Sequence, residues 1–256
     1  MYPNNIKRIL TVLIVAFFVF NAIGAHAQTE TQTQTQTQPP LTSYFGFFGG
    51  VSNPLSDFKK ADYYNNKAGF AKKGLTYGLD GTWYFYKNLG LGGSITYQDN
   101  GELSQTNADS LSAGYTNSYS ADYSNVTTSK RYQTVNILLG PQYTFTKGKF
   151  LLDLRASAGI LKTYSSPETS IYLSGVTNQT TTFYQKTASA TVLAYGATAA
   201  LRFKLSDNVF LTARGAYMGS QGPTVTYQDR TTTLGRDVTR QSFNTINTTI
   251  GLNFGL

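Results

Sequence analysis

Apolar and polar residues alternate along most of the chain after residue 41, and a period of two is typical of strands with two different faces. Residues 135–145 show it most clearly, because Val135 and Ile137 share one face while Asn136 and Gly140 share the other. Seven further segments repeat the pattern. The eight predicted strands are 44–51, 75–85, 89–97, 135–145, 150–160, 193–203, 209–217 and 246–254.

The connections between these strands alternate between short and long. Short connections rich in Lys, Asn, Gly and Asp predict hairpin turns at 86–88, 146–149 and 205–208. The long connections cover 52–72, 99–130, 165–188 and 220–240. Loops of this length are uncommon in compact soluble domains, and no helix is predicted after residue 41. The pattern predicts an all-β fold, an eight-stranded antiparallel up-and-down β-barrel with short turns at one rim and long loops at the other.

Alternation alone does not say which face of such a barrel points inward, because a lipocalin-like soluble barrel has an apolar interior and a polar exterior. Composition favours the reverse arrangement. Charged residues make up 13% of the chain, against roughly 25% in soluble domains. The polar faces carry mainly Gly, Ser, Thr and Asn, and the apolar faces end in aromatics such as Trp83, Phe85 and Phe203 beside the short turns. This predicts a transmembrane barrel with periplasmic turns, extracellular loops and a crowded polar lumen.

The first 40 residues have a different character. Lys7 and Arg8 precede an apolar run at 9–20, and Ala25 and Ala27 supply small residues at the −3 and −1 positions, which predicts a cleaved signal peptide over 1–27. An uncleaved anchor is the alternative, but a run of this length covers only about 18 Å of a hydrocarbon layer about 30 Å thick. Residues 28–40, rich in Thr and Gln, are predicted to be a flexible leader, so the barrel is predicted to occupy 41–256.

The last predicted strand carries a further signal. Ile246, Ile250, Leu252 and Phe254 lie on its apolar face. Together with the eight strands, this resembles the small bacterial outer-membrane β-barrels of the outer membrane protein X and outer membrane protein A transmembrane-domain type. The resemblance covers residues 41–256 and implies a Gram-negative outer membrane, insertion by the barrel assembly machinery and a monomer. The chain departs from the family by ending in Gly-Leu instead of a terminal aromatic residue.

Catalytic chemistry has few candidate residues here. The chain has no Cys, and its one His, His26, lies in the predicted signal peptide. The mature chain would therefore have neither a thiolate nor an imidazole base. Asp99, Asn100 and Asp109 could hold a weak Ca²⁺, but the turn-forming role of Asn and Asp explains these residues better. We predict a protein that is not an enzyme, has no cofactor or metal site and binds no nucleic acid.

Five charged residues fall on polar faces of predicted strands. They lie a few residues from the nearest short turn, which places them within a band of roughly 10 Å along the barrel. An Arg facing lipid near the midplane would cost about 2–4 kcal/mol, so all are expected to point inward and form one lumen polar cluster. The five are Asp80, Asp153, Arg155, Arg202 and Arg214.

The long connections supply candidate surface sites. Tyr115, Tyr119 and Tyr123 lie among Ser, Asn and Gly, a composition that binding loops favour, although a generic surface loop is the alternative. Basic residues at the loop side could contact lipopolysaccharide phosphates or simply be solvated. These are Lys59, Lys60, Lys67, Lys72, Lys73, Arg230, Arg236 and Arg240.

The predicted function is an integral outer-membrane barrel with an envelope-structural or surface-interaction role through its extracellular loops. An eight-stranded barrel is just wide enough for its inward side chains to fill it. Small inward residues such as Gly92, Ser94 and Gly159 nevertheless keep a narrow, porin-like channel for small solutes as the alternative.

Overall fold

The computed structural model describes residues 41–176, 182–225 and 240–256. Strands dominate this part of the chain, with one helical turn and one longer helix between them. In chain order the elements are β1 (Tyr44–Pro54), α1 (Ser56–Lys59), β2 (Gly74–Tyr86), β3 (Leu89–Gly101), α2 (Gln105–Tyr119), β4 (Tyr123–Ser129), β5 (Tyr132–Lys147), β6 (Phe150–Ser165), β7 (Glu168–Ser174), β8 (Thr182–Gln185), β9 (Ala190–Lys204), β10 (Val209–Ser220) and β11 (Phe243–Gly255).

Eight of the described strands close into one antiparallel barrel, in the order β1-β11-β10-β9-β6-β5-β3-β2. The first and last strands complete the ring, since Tyr44 lies opposite Gly255 of β11 and Thr82 of β2. Closure leaves no strand edge unpaired, which a barrel in lipid requires. Each of the eight predicted segments lies within one barrel strand, so the predicted barrel is confirmed.

The outer wall of the barrel is apolar and its interior is polar. Leu75 and Leu193 point outward and are 67% and 82% exposed, whereas Thr76 and Thr249 point inward and are 1% and 2% exposed. This distribution is the inverse of that in a soluble barrel, whose apolar face is buried inside. The predicted assignment of the two faces therefore agrees with the structure.

A second, smaller unit is built from the long connections. Strands β4, β7 and β8 form an antiparallel sheet in the order β4-β7-β8, and α2 packs against it. We call α2 with these three strands the cap. Its buried core also receives Tyr63, Ala68 and Phe70 from the 52–72 connection. The other members of this core are Leu111, Tyr115, Tyr119, Ala121, Ile171, Leu173 and Phe183.

The prediction that no helix follows residue 41 was wrong, because α2 spans fifteen residues. Its start is capped by Ser104, whose side chain accepts a hydrogen bond from the Asn107 amide at 3.2 Å. It ends at Ser120, which has a left-handed φ of 51°. Ser, Thr and Asn are weak helix formers, and burial of one face of α2 in the cap outweighs that preference.

Across the three described stretches of chain, no helix is both long enough and apolar enough to cross a membrane. The predicted signal peptide over 1–27, the leader over 28–40, and two of the basic residues, Arg230 and Arg236, lie outside the described residues.

Candidate functional site

The lumen cluster is organised around two bidentate ion pairs. Arg155 donates from Nη1 to Asp80 Oδ2 at 2.8 Å and from Nη2 to Asp80 Oδ1 at 3.0 Å. Arg202 donates from Nε to Asp153 Oδ2 at 2.7 Å and from Nη2 to Asp153 Oδ1 at 2.9 Å. Asp153 and Arg155 occupy neighbouring inward positions of β6, yet each pairs with a different strand. Bidentate Arg–carboxylate pairs are the strongest and most directional of protein ion pairs.

Uncharged side chains connect the two pairs. The Tyr44 hydroxyl lies 3.3 Å from Asp80 Oδ1 and 3.4 Å from Asp153 Oδ2, and its ring centroid lies 4.0 Å from the Arg202 guanidinium carbon. Gln142 Oε1 accepts from Arg155 Nε at 2.9 Å. Tyr44 and Gln142 were not among the predicted members, although alternation along β1 and β5 places both on inward faces.

Arg214, the fifth predicted member, is held more loosely. Its Nη2 lies 3.8 Å from Asp80 Oδ2, and its guanidinium carbon lies 4.4 Å from the Phe48 ring centroid. Its Nε has no hydrogen-bond partner among the described residues. The structure thus brings all five charged residues into one cluster, in which three arginines face two aspartates.

Farther toward the loops, the middle of the lumen is filled by uncharged polar side chains. Gln98 Nε2 donates to Thr245 Oγ1 at 3.3 Å, and Thr134 Oγ1 donates to Gln98 Oε1 at 3.5 Å. Other inward polar side chains of the lumen are also almost completely buried: Thr76, Ser94, Thr96, Asn136, Thr212, Asn247 and Thr249.

An apolar seal closes the loop-side end of the lumen. Phe58 of α1 is fully buried, and its ring centroid lies 4.3 Å from that of Phe243 and 5.1 Å from that of Tyr132. The rest of this cluster consists of Ala71 and the inward residues Leu138, Leu161, Ala194 and Met218. We call the segment 56–71 the plug, because it inserts Phe58 among side chains that line the barrel.

Hydrogen bonds from neighbouring elements hold the plug in place. Tyr132 Oη donates to the Gly69 carbonyl at 2.7 Å, and Gln241 Nε2 donates to the Lys67 carbonyl at 3.1 Å. From α2, Asn107 Nδ2 donates to the Phe70 carbonyl at 2.7 Å. The plug is therefore bonded to the barrel and to the cap at the same time.

The three tyrosines proposed as a surface site separate in the structure. Tyr115 and Tyr119 are 2% and 7% exposed, and their ring centroids lie 5.2 Å and 4.9 Å from that of Phe183 in the cap core. Only Tyr123 is exposed, at 59%. The prediction that all three present their rings at the surface was therefore wrong for Tyr115 and Tyr119. Residues four apart on a helix share one face, and here that face is buried.

Three groups of the loop region have shifted pKa values. Burial raises the pKa of Tyr119 to about 12. The Lys60 ammonium, which donates a hydrogen bond to Asp57, lowers the pKa of that carboxyl. The Glu168 carboxylate, which accepts a hydrogen bond from Tyr184, raises the pKa of that phenol.

Replacing Tyr119 with phenylalanine should stabilise the cap or leave its stability unchanged, because the Tyr119 hydroxyl is buried without a hydrogen-bond partner among the described residues. The raised pKa of Tyr119 also means that the folded cap disfavours the phenolate. The stability that the neutral Tyr119 contributes to the cap is fully present below a pH of about 10, the usual tyrosine pKa. This contribution is lost as the pH rises toward 12. Near-UV circular dichroism between pH 8 and 12 follows the loss of tertiary packing in the cap as the pH rises. Tyr119→Phe should move the midpoint of this alkaline transition to higher pH. An unchanged transition would contradict this assignment.

The acidic residues considered for calcium have other partners. Asp99 pairs with Arg131 at 3.0 Å, and Asp109 accepts from Gln105 at 2.8 Å. Asn100 Nδ2 donates to the Lys72 carbonyl at 3.0 Å. Within the described ranges, no group of three or more His, Cys, Asp or Glu side chains is placed to hold a metal ion.

A closed barrel with an apolar outer wall and a packed polar interior defines a transmembrane β-barrel of the outer-membrane class. Aromatic side chains are exposed near the short turns, including Trp83, Phe85, Phe145 and Phe150, as the interfacial girdle of such barrels requires.

Comparison with solved structures gives similar barrels at low sequence identity. Neisserial surface protein A is 12% identical with a TM-score of 0.46, and the match covers 84% of this chain and 97% of that chain. Ail, the attachment invasion locus protein of Yersinia pestis, is 13% identical with a TM-score of 0.40 and the same coverage. The N-terminal β-barrel domain of Pseudomonas aeruginosa OprF is 11% identical with a TM-score of 0.36, covering 86% and 100%. No protein-family model and no curated protein sequence matches this chain.

Proposed function

We propose that this chain is a non-enzymatic protein of the bacterial outer membrane, in which a sealed barrel anchors the cap outside the cell for a surface-interaction role. The observation that carries the proposal is the contrast between the two ends. The lumen is packed from the short-turn side to the plug, whereas the loop side carries a folded layer with its own core.

The orientation follows from the architecture of outer-membrane barrels, which have short turns in the periplasm and long loops outside. The turns after β2, β5 and β9 are short, and the cap is built from connections at the opposite rim. The cap would therefore lie on the cell surface, with both ends of the barrel domain in the periplasm.

Packing of the lumen argues against the alternative of a narrow channel. Opening a path would require two buried bidentate pairs to separate, and a buried charge left without its partner typically costs about 3–5 kcal/mol. The path would also have to pass the uncharged middle layer and displace Phe58 at the loop side. These three obstacles lie in series along the same lumen.

Contacts with the membrane follow from the surface of the barrel. The apolar wall would contact lipid, and the outward Ile250, Leu252 and Phe254 of β11 would serve recognition by the barrel assembly machinery. Lys59, Lys67, Lys72 and Lys73 are exposed and could contact lipopolysaccharide phosphates. Lys60 and Arg240 are also exposed, but Lys60 pairs with Asp57 and Arg240 donates a hydrogen bond to Gln221. We expect the protein to act as a monomer.

Two experiments test the sealed lumen and the orientation of the cap separately. In planar bilayers, purified protein should show rare or very small openings, since eight strands leave no room for an aqueous pore. Protease added to intact cells should cut only at the loop side, for example near Lys59 or Lys130, and should spare Lys87 and Lys147 in the short turns.

Steady porin-sized conductance would contradict the sealed lumen and restore the channel alternative. Cleavage at Lys87 or Lys147 on intact cells would instead invert the orientation, which would place the cap in the periplasm.

A further inference from the structure

The sheet of the cap has one face that packs against α2 and one that faces away from it. Ser124, Ile171 and Phe183 belong to the packed face, where the Ser124 hydroxyl donates to the Ser112 carbonyl of α2 at 2.8 Å. Because side chains alternate along a strand, Tyr123 and Tyr172 project from the opposite face, and they are 59% and 53% exposed. We call this opposite face the tyrosine face.

The register places three tyrosines in a diagonal row across the tyrosine face. Tyr123 of β4 lies opposite Ser174, and Tyr172 of β7 lies two positions along from that pair, opposite Asn125. Tyr184 of β8 extends the same diagonal, because it lies opposite Ser170, which is two positions before Tyr172 on β7. Diagonal neighbours on adjacent strands are about 7–8 Å apart, so the row spans roughly 15 Å.

The remaining positions of this face carry hydroxyl and amide groups. In the described strands they are Ser, Thr and Asn, with Glu168 as the one charged residue. The Glu168 carboxylate accepts a hydrogen bond from the Tyr184 hydroxyl, which holds that ring in place. Within β4, β7 and β8, the face has neither an aliphatic nor a basic side chain.

This composition discriminates between classes of ligand. A polyanion requires Lys or Arg, and the described part of the face has none. Protein interfaces have a core in which aromatics are joined by Met and Arg, and this face has hydroxyl groups between its rings instead. A neutral carbohydrate fits both features, because its C–H faces stack on aromatic rings while its hydroxyls exchange hydrogen bonds with Ser, Thr, Asn and Glu. Tyr also presents contact area at low entropic cost.

We propose that the tyrosine face binds a neutral oligosaccharide, with Tyr123, Tyr172 and Tyr184 forming a stacking row about 15 Å long that accommodates several consecutive sugar rings. This inference deepens the proposed function and rests on it, since it assumes that the cap is displayed outside the cell.

The test uses full-length protein in a detergent without a sugar headgroup. Calorimetric titration with cellohexaose and with maltohexaose should show saturable binding of at least one of them. Tyr123→Ala and Tyr172→Ala should each weaken it roughly tenfold, the equivalent of one lost stacking contact. Tyr172→Phe keeps the ring and should retain most of the affinity.

Tyr64→Ala is the matched control, because Tyr64 is 70% exposed but lies on the plug, away from the tyrosine face. The Tyr64→Ala variant should bind the oligosaccharide with the same affinity as the unmodified protein. Absence of saturable binding to both oligosaccharides would overturn the inference. So would binding of heparin alone that survives Tyr123→Ala and Tyr172→Ala, which would assign recognition to the basic residues. A cap that is cleaved on intact cells but binds neither sugar would refute this inference while leaving the proposed function in place.

Discussion

Replacing Asp153 with alanine is expected to lower the free energy of unfolding of the barrel by about 3–5 kcal/mol. The Asp153 carboxylate accepts two hydrogen bonds from Arg202 and one from Thr144 at 2.7 Å. Its removal leaves the fully buried Arg202 guanidinium without its counterion in the lumen. Urea unfolding from lipid vesicles, followed by tryptophan fluorescence, measures the change.

Asp207 supplies the control for this experiment. It pairs with Lys204 at 3.0 Å, but its side chain is 99% exposed in a short turn. Asp207→Ala should therefore change stability by no more than about 0.5 kcal/mol. The double variant Asp153→Leu/Arg202→Met removes both charges and should recover much of the loss. Equal effects of Asp153→Ala and Asp207→Ala would refute a stabilising role of the lumen cluster.

Replacing Gly114 with leucine should unpack the cap while leaving the barrel closed. A Cβ atom at Gly114 would lie 2.2 Å from both Cβ and Cγ of Tyr63, far inside van der Waals contact. Overpacking of this kind costs about 1–3 kcal/mol and occasionally more. Even Gly114→Ala should destabilise the cap, although alanine is favoured over glycine by about 0.8–1.0 kcal/mol inside an open helix.

Limited proteolysis of the cap and gel migration of unboiled protein report on the two units separately. Gly114→Leu should accelerate cleavage within α2, whereas the unboiled barrel should keep its altered migration. Ala113→Leu is the matched control, because Ala113 precedes Gly114 on α2 but is exposed. If Gly114→Leu and Ala113→Leu both resist protease as well as the unmodified protein does, the contact between Tyr63 and α2 does not stabilise the cap.

The lumen cluster shows how far sequence reasoning could reach. Alternation placed Asp80, Asp153 and Arg155 on inward faces, but it could not say which charges pair. In the structure Arg155 reaches β2 while Asp153 reaches β9. Such partners depend on the stagger between strands and on how side chains cross the lumen, and neither is encoded in the pattern of a single strand.

The cap shows the opposite limit. Residues 105–119 are rich in Ser, Thr and Asn, so local propensity argued against a helix and left Tyr115 and Tyr119 as apparent surface residues. Their burial depends on Phe183 and on Tyr63, which are distant in sequence. Such non-local contacts are visible only once the chain is folded.

The sequence by itself determined the barrel, its strand count and the direction of its two faces, because strand geometry forces a period of two and each face meets a different environment. Only the tertiary structure decided the pairing of the lumen charges, the insertion of Phe58 into the barrel and the existence of a folded cap. These features arise from contacts between segments far apart in the chain, whose energies outweigh the local preferences that a sequence pattern records.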